Sequence, residues 1–308
     1  MNTSRAILLK LASVAGFVSM AALIKAASDG VPPGQAVFFR SLFAIPVILV
    51  WLYLDGNLKR GLRTKNPLGH LWRGLLGTTA MGLNFSALGL LPLPEVTAIF
   101  FAAPILTVIF AAMFLGEQVR AFRLTAVGLG LVGVLIILSP RLTAFSEGDV
   151  STVQTLGAVL ALMAATFAAL AKIFVRKLVG IEHPATIVFY FSLTAVCLSA
   201  LTFPFGWAWP SPVEMTFLVL AGVIGGVSQG LLTTAFRHAE AALIAPFDYA
   251  SMLLSLLIGY FIFAEVPTVP MLAGAALVIA AGILIIWRER QLGLERGKGR
   301  QAMGPGGQ

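Results

Sequence analysis

A single carboxylate, Asp248, lies within an apolar run from Ala241 to Ala264. An ionised side chain at the centre of a membrane-spanning helix costs about 2.5–3.5 kcal/mol on insertion scales, so it is expected to face protein or water. At helical spacing Asp248 shares one face with Ser251, Ser255 and Gly259. This pattern predicts that the face lines a polar cavity, where Asp248 pairs across the cavity or contacts a ligand.

Two lysines lie at a predicted depth similar to that of Asp248. Lys172, one helical turn inside Arg176, is the first predicted partner, and Lys10 is the second. Two interpretations stay open for such a pair. It is either a structural ion pair or a substrate or proton site, and the polar face beside Asp248 favours the site.

Amide and aromatic side chains accompany these charges. Asn84 and Gln229 lie 145 residues apart in the middle of two apolar runs. They either contact a ligand or hydrogen-bond across helices, which contributes about 0.6 kcal/mol per bond. Tyr249 and Phe101 add aromatic surface, and such a pocket would suit a flat or zwitterionic organic solute.

A gate is a further hypothesis for the opposite side of the predicted membrane. Arg40 lies in the outer third of one apolar run, and Glu95 begins another run on the same side. Either Arg40 or Lys25 could pair with Glu95. The favoured interpretation is that Arg40 instead extends to the membrane surface and anchors its helix.

The residues that would support catalysis or metal binding do not form a recognisable pattern. His70, His183 and His238 lie at the ends of apolar runs, and none has a second ligand at metal spacing. The "GLGLVG" segment at 128–133 lies inside an apolar run, which favours helix packing over nucleotide binding. We therefore expect no enzyme, no metal site and no cofactor.

The composition indicates which elements position these residues. The chain of 308 residues is 58% hydrophobic and 11% charged, whereas a soluble domain is about 25% charged. A spanning helix needs about 20 apolar residues. Long continuous runs favour helices over a barrel, so the sequence predicts an all-α integral membrane protein with ten transmembrane helices. The runs are 6–27, 34–54, 68–90, 93–115, 121–140, 154–178, 184–204, 213–236, 241–264 and 268–288.

The distribution of positive charge predicts the orientation. Of 21 lysines and arginines, all except Arg141, Lys25, Arg40 and Lys172 fall on one side of the ten-helix arrangement. The positive-inside rule places that side, with both termini, in the cytoplasm of an inner-membrane protein. The net charge of +8 is thereby explained without nucleic acid. Cys197 is the only cysteine, so no intramolecular disulfide can form.

The chain repeats itself. "VFFRSLFA" (37–44) and "VFYFSLTA" (188–195) are identical at five of eight positions, and Glu117 aligns with Glu265. The pattern predicts two five-helix repeats, 1–141 and 154–290, joined by an external linker (142–153) and followed by a disordered cytoplasmic tail (291–308). Five is an odd number, so the second repeat enters the membrane inverted. Inverted repeats are typical of secondary transporters.

These motifs resemble a known family. The "FFR" of the second run and the P-x11-GE spacing from Pro104 to Glu117 are similar to the drug/metabolite transporter superfamily, EamA type, over residues 6–290. The second repeat departs from the pattern, because Ala264 precedes Glu265 and Met252 stands where Pro104 would align. The segments "HLWRGLLGTTAMGLNFSALGLLPLPEVTAI" and "APFDYASMLLSLLIGYFIFAEVP" resemble uptake permeases for riboflavin and S-adenosylmethionine.

The resemblance implies a secondary transporter that moves a small organic metabolite by alternating access. The leading hypothesis is uptake of a vitamin or cofactor such as riboflavin, acting as a monomer in the lipid bilayer. An amino-acid or drug exporter of the same scaffold is the alternative. A passive channel or a membrane-embedded enzyme represents a different class.

Overall fold

A computed structural model describes residues 3–56, 58–115, 128–137, 139, 152–179, 181–238, 247–248, 250–280, 283–284 and 287. The secondary structure in these segments is helical throughout. The predicted tail lies outside the described residues, as does the predicted linker up to position 151. Thr152 and Val153, assigned to the linker from the sequence, belong to a helix instead.

The helices are numbered in chain order. They are α1 (Thr3–Ala27), α2 (Pro33–Leu54), α3 (Leu58–Gly61), α4 (Pro67–Leu90), α5 (Leu93–Phe100), α6 (Ala102–Leu115), α7 (Gly128–Ile137), α8 (Thr152–Val179), α9 (Pro184–Ala200), α10 (Pro212–His238), α11 (Ala250–Phe263) and α12 (Val269–Ala280). Prolines begin α2, α4, α9 and α10 at the first helical position, where a missing amide hydrogen costs nothing.

Four of these helices contain segments long and apolar enough to cross a membrane, and they lie in α1, α2, α8 and α10. Helices α7, α9, α11 and α12, and the segment Leu93–Thr107, are apolar but shorter. The structure thus agrees with an all-α membrane protein. The number of ten spans and the inverted arrangement of two repeats stay predictions.

Contacts between neighbouring helices close a ring. The order is α1, α10, α2, α9, α4, α8, then α5 with α6, then α11 and back to α1. Helices α4 and α1 also contact each other across this ring. Faces that point inward therefore converge on the interior of the ring, which we call the lumen.

The described contacts also show which helix ends lie together. Thr64, next to the start of α4, bonds to Glu182 at the end of α8, whereas Lys25 at the end of α1 bonds to Leu91 after α4. We call the end of the bundle where α1 begins the amino end, and the opposite end the far end. Each charged group can therefore be placed near one of the two ends of the lumen.

The span predicted over 93–115 is interrupted. Helix α5 ends at Phe100, Phe101 forms a turn, and α6 begins at Ala102. Pro104 lies four residues after Phe100 and has no amide hydrogen to donate to the Phe100 carbonyl. The prediction of one continuous helix was therefore wrong, and Phe101 occupies the break.

The "GLGLVG" segment packs as predicted where the structure describes it. A Cβ atom added at Gly133 of α7 would lie 2.8 Å from the carbonyl oxygen of Gly274 on α12. Only glycine allows two helix backbones to approach so closely. The motif therefore holds two helices together.

Candidate functional site

An ion pair lies in the amino-end half of the bundle. Lys10 Nζ on α1 is 2.6 Å from Asp248 Oδ1. The Lys10 side chain is 4% exposed, and the Asp248 side chain is 52% exposed. Lys172, the first predicted partner, makes no ion pair with Asp248 in the described structure, so the prediction of their direct pairing was wrong and the second choice, Lys10, is the contact.

The position of Lys10 follows from the face that α1 turns toward α10. Ala6 is fully buried beside Ala235, and the Ser13 hydroxyl donates to the Ser228 carbonyl at 2.9 Å. Residues 6, 10 and 13 share one helical face, so Lys10 is directed into the bundle with them. Helical periodicity thus brings the ammonium group to Asp248.

Lys172 lies near the Lys10–Asp248 pair without forming an ion pair with Asp248 in the described structure. Its side chain is exposed, and its ammonium group is close enough to both Asp248 and Lys10 to interact with them electrostatically. Two lysines and one carboxylate therefore lie together in the amino-end part of the bundle.

Asp248 lies outside the regular helix. It forms part of a 3-10 turn with Phe247, and α11 begins at Ala250. The prediction of a carboxylate inside a continuous helix was wrong. Pro246, close before this turn in the sequence, is typical of a helix beginning rather than a helix interior. The carboxylate instead lies at the α11 N-terminus, where the helix dipole stabilises a negative charge.

The predicted polar face of this helix is partly retained. The Ser251 hydroxyl donates to the Asp248 carbonyl oxygen at 2.7 Å, which satisfies a backbone acceptor next to the turn. Met252, Ser255 and Gly259 form the buried face of α11. Ser251 is half-buried at the first turn and lies beside the ion pair.

A second ion pair closes the far end. Lys25 Nζ is 3.0 Å from Glu265 Oε1 and donates to the carbonyls of Leu88 and Leu91 at 3.1 and 2.7 Å. Glu265 Oε2 accepts the Leu93 amide hydrogen at 2.9 Å. This network joins α1, the end of α4, the start of α5 and the segment after α11. The sequence indicated Lys25 and Glu265 as separate charged residues, but it did not show that they form an ion pair.

The two gate pairings proposed from the sequence were wrong. Lys25 pairs with Glu265 rather than Glu95, and Arg40 makes no ion pair with Glu95 in the described structure. Arg40 is 4% exposed, and its Nε lies 3.5 Å from the Met20 sulfur. The interpretation that Arg40 extends to the membrane surface was also wrong, because its position on α2 turns the side chain toward α1 inside the bundle.

The remaining candidates are dispersed around the lumen. Asn84 on α4 and Gln229 on α10 are half-buried, and α2 and α9 separate their helices in the ring. Phe101 is 7% exposed at the break between α5 and α6. Tyr249 lies outside the described residues.

The starts of α6 and α11 correspond to each other. Helix α6 begins at position 102 and α11 at position 250, which are 148 residues apart. Glu117 and Glu265 have the same separation. Pro104 was the signal in the sequence from which the break between α5 and α6 could have been predicted, and Pro246 was a signal for a helix beginning near Asp248.

A carboxylate also organises the connection between α8 and α9. Glu182 Oε1 accepts hydrogen bonds from Thr64 Oγ1 at 2.7 Å and from the backbone amides of Lys65 and Asn66 at 2.6 and 3.3 Å. Burial acts to raise the pKa of Glu182, but these hydrogen bonds outweigh burial and hold the pKa below its ordinary value of 4.5. The charged form therefore fastens the segment before α4 to the segment before α9.

Known proteins resemble this chain over most of its length. An S-adenosylmethionine uptake transporter of Rickettsia felis is 30% identical over 257 residues, which cover 83% of this chain and 84% of that protein. A riboflavin transporter of Rhizobium johnstonii is 30% identical, covering 84% and 82%. A pseudopaline exporter of Pseudomonas aeruginosa is 30% identical, covering 87% and 91%.

The fold and family comparisons agree with these similarities. A crystal structure with a TM-score of 0.67 covers 94% of this chain and 99% of its own, at 22% identity, which shows the fold alone. The model of the EamA-like transporter family matches residues 4–139 and 155–287. The resemblance found in the sequence is confirmed, as is the expectation that the protein is not an enzyme, since the chain belongs to the EamA-like transporter family of membrane transporters.

Proposed function

We propose that the protein is a secondary transporter that moves a small organic metabolite by alternating access, with the substrate contacting the Lys10–Asp248 pair and Lys172. The observation that carries this proposal is the difference between the two ends of the lumen. The far end is joined by the Lys25–Glu265 pair and the Leu93 amide. At the amino end, Asp248 is half exposed beside an accessible lysine.

The helix arrangement supports two related halves. Helix α1 packs along α10, and α8, which would be its counterpart in the second repeat, packs along α4. Helices α6 and α11 also begin at positions 148 residues apart, the separation of Glu117 and Glu265. In secondary transporters interrupted helices carry substrate or ion sites near the middle of the membrane, and the break between α5 and α6 at Phe101 is an interruption of this kind. Inverted repeats would let the two ends of the lumen exchange conformations.

The charges in the lumen favour a solute that carries charges of its own. Asp248 can contact a cationic group, whereas Lys10 and Lys172 can contact an anionic group. S-adenosylmethionine has an ammonium group, a sulfonium group and a carboxylate, whereas riboflavin is uncharged. We therefore propose a zwitterionic metabolite of the cofactor or amino-acid type and place S-adenosylmethionine before riboflavin.

Counterflow in proteoliposomes tests the transport function. Vesicles containing the full chain are loaded with unlabelled S-adenosylmethionine, riboflavin or an amino-acid mixture, and uptake of the labelled compound is followed. We expect saturable uptake that is accelerated by the same compound inside the vesicles. Flux that neither saturates nor responds to the internal compound would identify a channel and contradict the proposal.

Export is a second candidate, since the pseudopaline exporter covers as much of the chain as the uptake transporters do. Cells that overproduce the protein distinguish the two directions. Uptake raises the internal concentration of the substrate found by counterflow, and export lowers it. The variant Asp248→Asn serves as the transport-deficient control in both assays.

A further inference from the structure

Two arginines direct buried guanidinium nitrogens into the bundle and have no carboxylate partner among the described residues. Arg40 is 4% exposed, and its described polar contact is the Met20 sulfur, a weak acceptor. The Nε and Nη1 atoms of Arg73 are buried and have no hydrogen-bond partner. The ion pairs formed by described side chains join Lys10, Lys25 and His70 to acidic residues and involve neither arginine.

The two guanidinium groups are neighbours in the bundle. Arg40 lies on α2 against α1 and α10, and Arg73 lies on α4, with its guanidinium carbon 4.1 Å from the centre of the Phe191 ring on α9. Helices α2 and α4 contact each other, and the guanidinium groups are close enough to repel each other electrostatically. The two side chains therefore contribute positive charge to one region of the lumen.

Glycines make room for both arginines. A Cβ atom at Gly225 of α10 would lie 3.1 and 3.2 Å from the Nε and Nη2 atoms of Arg40. A Cβ atom at Gly77 would collide with Nη1 of Arg73, one turn earlier on α4. A glycine on a neighbouring helix thus leaves room for the Arg40 guanidinium group, and a glycine on its own helix leaves room for that of Arg73.

Such an arrangement is unfavourable when it is empty. A buried charge costs several kcal/mol unless it is paired, and two like charges add to that cost. Buried hydroxyls of Ser41, Thr78 and Ser192, on the three helices α2, α4 and α9, also lack a hydrogen-bond partner. Guanidinium groups bind carboxylates through two parallel hydrogen bonds, so an anionic ligand would offset these costs.

We propose that Arg40 and Arg73 form an anion subsite that binds the carboxylate of the transported solute. The proposal rests on the transport function proposed above and specifies its substrate class. Asp248 would contact the cationic part of the same solute nearer the amino end. The lumen would thus separate the two charges of a zwitterion along its axis.

The test compares two probes that differ by one carboxylate, S-adenosylmethionine and decarboxylated S-adenosylmethionine. Affinities are measured with the purified full-length protein by the shift of its melting temperature. A charged hydrogen bond contributes about 1.5–3 kcal/mol, so we expect the wild type to prefer the carboxylate by about tenfold or more. Arg40→Gln and Arg73→Gln should each remove most of this preference. Arg63→Gln, which changes an exposed arginine, should retain it.

Two further variants separate the ligand role from a structural role. Arg73→Lys keeps the charge but loses the planar group and should give an intermediate preference. Gly77→Ala displaces the Arg73 guanidinium without removing it and should also weaken the preference. Without ligand, Arg73→Gln should melt close to the wild type, because loss of the contact with Phe191 is offset by removal of a charge that has no carboxylate partner among the described residues.

The proposal is overturned if the wild type binds both probes equally or binds neither. It is also overturned if both glutamine variants keep the preference, or if they lose it only through a lower melting temperature without ligand. Counterflow with the wild type reports separately on transport. Saturable counterflow together with equal binding of the two probes would refute the subsite and leave the transport function standing.

Discussion

At the scale of single residues, the Lys10–Asp248 pair combines two unlike environments. The ammonium group is almost fully buried, whereas half of the carboxylate side chain is accessible. A purely structural ion pair does not require an accessible carboxylate. An accessible carboxylate can exchange its partner for a proton or a cationic group of a substrate, which favours the functional interpretation of this pair.

Replacing Asp248 by Asn should abolish transport while the protein still inserts. The amide retains the shape of the side chain but removes the charge opposite Lys10, which should cost about 1–3 kcal/mol of stability. Counterflow and the melting temperature of the purified variant measure the two effects.

The double variant Lys10→Met with Asp248→Asn shows which interpretation is right. Recovery of stability without transport would support the substrate or coupling role. Full recovery of both would show that the pair is structural. Lys172→Met with Asp248→Asn is the matched control, and we expect less recovery of stability from it because Lys172 makes no direct ion pair with Asp248 in the described structure.

At the scale of the helices, the far-end network lies where a gate is expected. Lys25 reaches two carbonyls at the end of α4, and Glu265 reaches the first amide of α5. Helices α1, α4 and α5 and the segment after α11 separate only if these bonds break. Under the proposed alternating access, opening of the far end must therefore break this network.

Glu265→Gln should open the far end more often. In a Cys197→Ala background, Leu93→Cys gives a thiol at a position that is 1% exposed. Loss of the ion pair should raise its maleimide labelling rate by about tenfold, since a charged hydrogen bond contributes about 1.5–3 kcal/mol. Glu214→Gln is the control, because Glu214 caps α10 through Ser211. An unchanged rate in Glu265→Gln would exclude the pair as a gate.

The hydrogen bonds of Glu182 predict a pH dependence of stability. Its pKa in the folded protein lies below the ordinary value, so its contribution is present at neutral pH and is lost as the pH falls below about 4.5. Glu182→Gln should melt lower than the wild type at pH 7, by a difference worth about 1–2 kcal/mol.

This difference should begin to shrink as the pH is lowered toward 4, because the Glu182 carboxylate of the unfolded chain then takes up a proton before that of the folded protein does. Melting curves between pH 7 and pH 4 measure it. Asp29→Asn, which changes an exposed far-end residue, is the control. A difference that stays constant over this range would show that the charge of Glu182 does not contribute.

At the scale of the whole molecule, the ring of helices shows which helix ends lie together, and the charge distribution predicts which side of the membrane they face. The ring shows that α1 begins, and α2 ends, at the same end of the bundle. The positive-inside rule predicts that this end faces the cytoplasm. A topology experiment therefore tests both the predicted orientation and the predicted number of spans.

Reporter fusions at Gln308 and after Asn57 should both give cytoplasmic signals. The reason is that lysines and arginines are concentrated on that side of the predicted membrane. A fusion placed after Arg141 should report the opposite side. An external signal at Gln308 or at Asn57 would contradict the prediction of ten helices and, with it, the prediction of an inverted repeat.

The sequence by itself determined the class of the molecule. Continuous apolar runs require lipid as a solvent whatever the packing, and the repeated motifs were sufficient to indicate the transporter family that the comparisons confirm. The sequence also identified Asp248 as a charge that lipid would not tolerate. These conclusions depend on composition and local spacing, which folding does not alter.

Only the tertiary structure decided which groups meet. Lys10 and Lys172 lie at similar depths, so periodicity could not choose between them, and the choice depended on α11 lying beside α1 in the ring. The contact of Arg73 had the same origin. The packing of α4 on α9 directs its guanidinium group over Phe191, which the position of Arg73 in the sequence does not indicate. Helical spacing fixes the face on which a side chain lies, and only packing fixes what that face contacts.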